Sequence, residues 1–321
     1  MIAYFVERFH AIDPQLIAVF GGILSLLAFS SIVAAIVSRA IKAPSAQSTI
    51  DNLNKRIRSW WVMCAVFSLT VFVGPVGSLV LFGAMSFLAL REYATMIPTR
   101  RGDHQTLFWT FFLFTPLQYA LLGIGWLGFM IVIPVYAFVL IPAMMAIAGD
   151  TKNFLERAAK IQWGLVICVY CLSYAPALLL LHIHGFGGDA KLLLFLMIVA
   201  QTSDVLQYVW GKLLGRHKIA PSVSPNKTWE GFIGGVLSAS AIGAALWWIT
   251  PFGPAAAAAL ALLITLAGFL SGLVMSAIKR DRGIKDFGTM IEGHGGILDR
   301  MDSMIFAAPL FFHVVRFFYA I

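Results

Sequence analysis

The stretch "LLLFLMIVAQTSDVLQYVWG", residues 192–211, decides what kind of fold this chain can adopt. Twenty residues wound as an α-helix reach about 30 Å, the thickness of a bilayer's hydrocarbon layer. Its first nine positions are apolar, and polarity enters only near the end, at Gln201, Thr202, Ser203, Asp204 and Gln207. An ionisable side chain inside such a run is costly and must look into protein or a water-filled cavity. Gln201, Asp204 and Tyr208 fall at i, i+3 and i+7 with Gln207 alongside, so one helix face is polar. Two readings of that face stand together: an interhelical hydrogen-bond network that fixes packing, or an acid kept in the membrane for chemistry.

The rest of the chain repeats the apolar pattern. Of 321 residues 60% are hydrophobic and 12% charged, and the mean hydropathy is +0.86. A water-soluble domain lacks the polar surface it needs at that composition. Apolar runs at 16–38, 60–74, 77–90, 107–125, 127–148, 162–182, 191–210, 231–250, 254–277 and 303–319 give ten spans. The second and third are short and separated only by "GPVG", so nine spans, with a long kinked helix or a re-entrant hairpin there, is the alternative. Asp204 is the only acid inside any of these runs. The expected fold is therefore all-α: a polytopic integral membrane helical bundle forming one membrane domain over 1–321. Its first 190 residues are read as scaffold and lipid access, and 191–321 as the helices and loops that carry function.

Charge orients the bundle. Loops 39–59, 91–106, 149–161, 211–230 and 278–302 hold 20 of the 23 lysines and arginines, leaving Arg8, Lys191 and Arg316 on the other side. The positive-inside rule then predicts N-out, C-out topology with the charged loops in the cytoplasm. The net charge of +8 is read as orientation and attraction to anionic lipid headgroups, not nucleic acid. Ile50, Leu53, Ile57 and Trp60 or Trp61, interleaved with Lys55, Arg56 and Arg58, predict a short helix lying in the interface. Cys64, Cys168 and Cys171 sit in apolar runs, where small packing residues are expected and a redox pair is not. Glu7 and Asp13 precede the first apolar run and a basic stretch does not, which speaks against a cleaved signal peptide. No inverted internal repeat of the transporter kind is visible.

Two loops hold further expensive polarity. "GKLLGRHKIAPSVSPNKTWEG", residues 211–231, is basic and leads into a helix through Ser224, Lys227 and Thr228. A helix N-terminus with a lysine can cradle phosphate, while the plain alternative is a helix cap with Glu230 in the first turn. "IKRDRGIKDFGTMIEGHGGILDRMD", residues 278–302, gathers ten charged residues into 25 positions. Gly293, Gly295 and Gly296 flank His294, a pattern that lets backbone amides approach an anion. Asp299, Asp302 and Ser303 fall at i, i+3 and i+4 at the mouth of the last helix. Carboxylates so spaced suit magnesium, which is usually held by one or two acids plus substrate phosphates. The alternative is a solvated loop serving orientation alone.

These residues resemble the phosphatidate cytidylyltransferases, also called CDP-diacylglycerol synthases. The C-terminal signature of that family is matched by Ser276, Ile278, Lys279, Arg280, Lys285, Asp286, Gly288, His294, Gly295, Gly296, Asp299, Arg300 and Asp302. Upstream elements are matched by Asp204, Tyr208 and Gly211, and by Ser224, Pro225, Lys227, Thr228, Glu230 and Gly231. The likeness is strong from about residue 195 onward and architectural before it. Glu292 stands where the family has proline or a small residue, Asn226 replaces a second lysine, and Gln207 replaces a small residue. A paralogue with an altered lipid or alcohol-phosphate substrate fits those departures.

The resemblance implies that CTP and phosphatidate give CDP-diacylglycerol and pyrophosphate at the cytoplasmic face of a bacterial inner (plasma) membrane. On this reading Asp204, Asp286, Asp299 and Asp302 hold one or two Mg2+ ions, with room for a monovalent ion. Catalytic roles fall to Lys285, Asp286, His294 and Asp302. Ser224, Lys227, Thr228, Lys279, Arg280 and Arg300 would grip the substrates, with the amides of Gly295 and Gly296 as a phosphate cradle. Membrane lipids are the surrounding partners, nucleic acid is not, and a homodimer is compatible. The rival readings are another membrane transferase acting on a different lipid or alcohol phosphate, and a secondary transporter of an anionic solute with Asp204 as coupler.

Overall fold

The computed structural model describes residues 13–40, 44–186, 190–290 and 295–320. Ten long helices follow one another among them, each overlapping one predicted apolar run. Helix α1 is Pro14–Ala40, α2 Pro44–Val73 and α3 Pro75–Met96. Next come α4 (Arg101–Gly123), α5 (Phe129–Ile147) and α6 (Phe154–Leu180). The last four are α7 (Lys191–Leu213), α8 (Trp229–Ala245), α9 (Pro254–Asp281) and α10 (Ile297–Tyr319). Eight are long and apolar enough to cross a membrane; α2 and α8 fall short because α2 is apolar only over Ile57–Val71 and α8 has 17 residues. A 3-10 turn over Trp247–Ile249 follows α8 closely.

The expected all-α membrane bundle is borne out, and one local expectation is corrected. Among the described residues no separate interfacial helix precedes the second span: α2 runs unbroken for 30 residues, about 45 Å at 1.5 Å per residue, so its charged N-terminal half extends beyond the hydrocarbon. Beside the helices, strands β1 (Lys218–Ala220) and β2 (Ser224–Thr228) form a small antiparallel hairpin with Lys218 opposite Thr228. Between the second and third runs, Gly74 (φ 95°) ends α2 and Pro75 opens α3, so two helices replace the kinked single one.

Each of α4, α5 and α6 contains a widened π-helical segment, at Thr110–Phe114, Val132–Ala137 and Val166–Tyr170. Such a turn frees backbone groups that hydrocarbon cannot satisfy. In α4 the Thr115 hydroxyl answers by donating to the Thr110 carbonyl at 2.9 Å.

Helix α6 is the most buried span and α1 the least. One continuous apolar core runs from Val19 to Val315, with Tyr174, Phe195 and Phe311 among its largest fully buried side chains. Within it α7 packs along α8, α8 along α9 and α9 along α10, while α10 also meets α6 and α3. Glycine sets the closest approach. A Cβ at Gly235 would lie 2.7 Å from the Gln207 backbone nitrogen, and one at Gly231 would lie 2.9 Å from the Gly211 Cα. Small residues one turn apart let helix backbones meet where lipid supplies no hydrophobic drive.

The charged loops meet at one end of the bundle. Arg157 pairs with Asp103 at 2.9 Å and Asp150 at 3.2 Å, tying the α3–α4 connection to the α5–α6 connection. Arg100, hydrogen-bonded to Asp150, holds that carboxyl below the usual carboxylate range. Tyr93 donates to the Lys160 carbonyl at 3.1 Å, and Arg280 to that of Val223 at 3.3 Å. At the opposite end Lys191 pairs with Asp13, and Ile183 bridges Ala320.

The glycine contact makes a prediction. Replacing Gly235 by leucine should overpack the α7–α8 seam and destabilise the purified protein by about 1–3 kcal/mol. Gly22→Ala, where nothing lies within 4 Å of the added carbon, should melt like the parent. Equal melting temperatures for Gly235→Leu and the parent in the same detergent would show the seam is not close-packed.

Candidate active site

Four elements converge where the charged loops meet. Helix α7 brings Asp204, strand β2 Lys227, the last turn of α9 Lys279, and the first turns of α10 Arg300, Asp302 and Ser303. Asp204 interacts electrostatically with Asp302, Lys227 and Arg300 and faces Ser303. Protein crowds around this aspartate, yet part of its side chain stays exposed at the surface of the bundle.

Lys227 arrives by a narrow route. Its ammonium lies 4.6 Å from the Phe269 ring centroid and 3.5 Å from the Phe269 carbonyl. A Cβ at Gly272 would come within 2.9 Å of Nζ, so the missing side chain at that point of α9 lets the lysine pass. Burial pushes the ammonium's pKa down, and Asp204 and Asp302 oppose that shift. Lys279 also acts on Asp302.

Asp302 is fixed from its own helix and from α9. Its Oδ1 accepts the Ser303 amide at 2.8 Å, and its carbonyl accepts the Ser271 hydroxyl. The Ser303 hydroxyl beside it turns toward Asp204, and among the described residues the buried Arg300 Nε has no hydrogen-bond partner. Buried polar groups are nearly always satisfied, so an unmet donor beside two acids marks a place for a polar ligand.

Asp299 behaves differently from Asp302, although both were expected to hold metal. Its Oδ1 accepts Lys279 at 3.0 Å, and its Oδ2 accepts the amides of Phe287 at 2.7 Å and Gly296 at 3.0 Å. Three donors commit this carboxylate to joining the α9–α10 connection to the start of α10. The Gly296 amide is thereby taken and is not a free phosphate cradle. Gly295 (φ 83°) is required by crowding: a Cβ there would meet Asp299 Oδ2 at 2.8 Å and the Asp286 Cβ at 3.3 Å.

The remaining predicted residues divide. Lys285 and Asp286 are exposed on the α9–α10 connection, with Asp286 next to Gly295 and not with Asp204 and Asp302. Thr228 is buried, and its hydroxyl caps α8 by accepting the Gly231 amide at 3.1 Å, so the plain cap reading holds there. Glu230 accepts the amides of Arg216 and His217, which closes the hairpin loop. Arg280 braces that loop at Val223, and Ser224 pairs with Ala220. Tyr208 is exposed, with the Lys212 ammonium 5.8 Å from its ring centroid. His294 and Glu292 lie outside the described residues.

One residue near the site was missed from sequence. Glu92, at the end of α3, is buried and accepts the amides of Ile297 at 3.0 Å and Leu298 at 2.9 Å. The available signal was an acid in "LALREYATM", just beyond the third apolar run. Among the described residues no group of three or more acids, histidines or cysteines is placed to hold a metal.

Comparison with known proteins shows the chain's family. The sequence profile of the cytidylyltransferase family matches residues 54–318. An Escherichia coli (strain K12) protein named "Uncharacterized protein YnbB" is 41% identical over 266 residues, 82% of this chain and 87% of that protein. A phosphatidate cytidylyltransferase of Bacillus subtilis (strain 168) is 29% identical over 83% of this chain and 99% of its own length. One from Staphylococcus aureus (strain COL) is 41% identical over 145 residues, 44% of this chain and 56% of that enzyme. With a family profile spanning most of its length, the chain belongs to the cytidylyltransferase family.

Proposed function

We propose that this integral membrane enzyme transfers the cytidylyl group of CTP to phosphatidate, giving CDP-diacylglycerol and pyrophosphate, from a site facing the cytoplasm at the plasma membrane. The observation that carries the reading is the meeting of Asp204 and Asp302, from two different spans, beside Lys227, Ser303 and an Arg300 Nε that has no hydrogen-bond partner among the described residues. An oxygen of the lipid phosphate attacks the α-phosphorus of CTP in line. The new P–O bond forms as the bond to the bridging oxygen breaks, and the β- and γ-phosphates leave as pyrophosphate. A phosphate monoester is largely ionised at neutral pH, so the chain need not supply a strong base. What it supplies is position and positive charge. Lys227, Lys279 and Arg300 neutralise the phosphates, with Lys285 and Arg280 meeting them from the exposed side.

The donor set fits one magnesium ion. Two hard carboxylates accessible to solvent, with substrate phosphates to complete the shell, are what that ion usually takes. When bound, it supplies positive charge at the attacking and leaving oxygens. Asp299 is assigned to holding the loop, and Thr228 to holding α8.

The transporter reading needs a polar path onward through the membrane. Beyond Asp204, toward the other end of α7, Leu192, Leu193, Leu194, Phe195, Leu196 and Val199 are all buried apolar side chains. That arrangement favours a site approached from one end.

Purified protein given CTP, magnesium and a panel of lipid phosphates should release pyrophosphate and form CDP-diacylglycerol, read by mass. Chelation should abolish the reaction and added magnesium restore it. Asp204→Asn and Asp302→Asn should each lower product formation by about 100-fold or more, because the ion and its charge neutralisation are lost together. Full magnesium-dependent pyrophosphate release in both variants would overturn the metal assignment. Anion flux in proteoliposomes without nucleotide transfer would overturn the enzyme reading. Thr228→Ala should cost about 1 kcal/mol of stability as a lost cap and leave the KM for CTP within about twofold. A tenfold rise in that KM would return Thr228 to the substrate site.

A further inference from the structure

Helix α10 carries Asp302, and its N-terminus is capped from the far side of the sequence. The amides of its first turn have no partners within the helix. Gly296 finds Asp299, but Ile297 and Leu298 are satisfied by Glu92 of α3, 205 and 206 positions earlier in the chain. Each carboxylate oxygen accepts one amide, at 3.0 and 2.9 Å. Hydrogen bonds from amides to an ionised carboxylate at a helix N-terminus are among the stronger kinds, because charge and helix dipole act together.

Two glycines shape the slot for this side chain. A Cβ at Gly288 would lie 2.6 Å from Glu92 Oε1, and one at Gly296 would lie 2.3 Å from Oε2. The carboxylate is thus wedged between the α9–α10 connection and the first turn of α10. Tyr93, the next residue, is pinned by its bond to the Lys160 carbonyl, and a Cβ at Gly164 would meet its ring at 2.5 Å. The end of α3 is consequently held against α6, and Glu92 projects from a fixed base.

We infer that Glu92 is a positioning residue for cytidylyl transfer: it docks the N-terminal half of the bundle onto the first turn of α10 and keeps Asp302 in register with Asp204. The inference rests on the reading of Asp302 as an acid of the reaction centre. Glu92 itself touches no reacting atom. Its two bonds fix both the rotation and the height of α10 against α3, since neither amide can turn about the helix axis without losing its oxygen. Asp302 lies little more than one helical turn further on and moves with them.

The test is Glu92→Gln, which keeps the shape but leaves one oxygen acceptor for two amides. Its kcat should fall about 10- to 100-fold, as expected when a reacting group is displaced by a fraction of an ångström to 1 Å. The KM for CTP should stay within about twofold, because Lys227, Lys279 and Arg300 are unchanged. Amide hydrogen exchange should quicken at Ile297 and Leu298 and stay as in the parent from Ile305 to Val315. A purely structural role would instead speed exchange along all of α10 and lower the amount of folded enzyme without changing kcat per folded molecule. Gly296→Ala, which crowds Glu92 out of its slot, should give the same kinetic split, and the double variant should be no worse than either alone. If Glu92→Gln aggregates, Glu92→Asp, too short to reach both amides, carries the same measurements. Parental kcat in the folded variant overturns the inference, provided Asp302→Asn is inactive in the same assay. Activity in Asp302→Asn instead removes the underlying reading and leaves the docking of α10 by Glu92 to be judged by the exchange data alone.

Discussion

Two carboxylates on different membrane helices cannot share a crevice unless positive charge is held between them. At an effective dielectric constant of 20, like unit charges 4 Å apart repel by about 4 kcal/mol, and burial adds a desolvation cost for each. Much of this end of the protein follows from that constraint. Asp204 and Asp302 are set among Lys227 and Lys279, which come from two other segments, and Arg300 of α10 itself. Lys227 belongs to a hairpin strand and reaches the acids only because Gly272 leaves α9 bare where it passes. The hairpin is held by Glu230 on the Arg216 and His217 amides and by Arg280 on the Val223 carbonyl. The basic hairpin is in this way a source of the counter-charge that the two acids need.

The same logic assigns the two acids of α10 to different tasks. Asp299 has one cation and two amides on its oxygens and serves as an internal clamp. Asp302 has a single amide within its own helix and looks toward Asp204. Only the second retains acceptor capacity for something the protein does not supply. Lys279 touches Asp299 and acts on Asp302 as well, so the clamp and the crevice share a cation. Tightening one should change the field felt by the other.

How much of this was legible depends on the range of the interaction. The ten helices, eight of them long and apolar enough to span, could be read because hydrocarbon imposes a length and a composition on each helix separately. Asp204 could be read because its cost is paid locally, in its own helix. The continuity of α2 was also available: neither glycine nor proline interrupts residues 45–73, so the amphipathic period runs straight into the apolar one. The division of labour between Asp299 and Asp302 was not available. Spacing places both on one helical turn, while the partners that separate them, Lys279, Phe287 and Asp204, lie in other segments. Thr228 presents the reverse case, because a cap and a phosphate contact ask for the same hydroxyl, and only the observed Gly231 amide chooses between them. Glu92 was hidden most deeply, since nothing in a local window announces a cap delivered across 205 residues.

The polarity of the molecule along its own axis bears on what such a site can do. On α7 the acid stands near one end and buried leucine, phenylalanine and valine fill the other half, where Gly243 of α8 also lets Ala261 of α9 approach closely. A solute coupled to Asp204 would have to displace close-packed apolar contacts to go further, at a cost of several kcal/mol for each side chain removed from its neighbours. A headgroup phosphate needs no such passage. On the proposed function it would meet Asp204, Lys227 and Asp302 with its acyl chains left in lipid, and a nucleotide triphosphate would come to the same residues from water. Chemistry between a membrane-bound and a soluble substrate calls for acids and cations gathered at one end of the spans, and α7, the hairpin, α9 and α10 bring theirs together there.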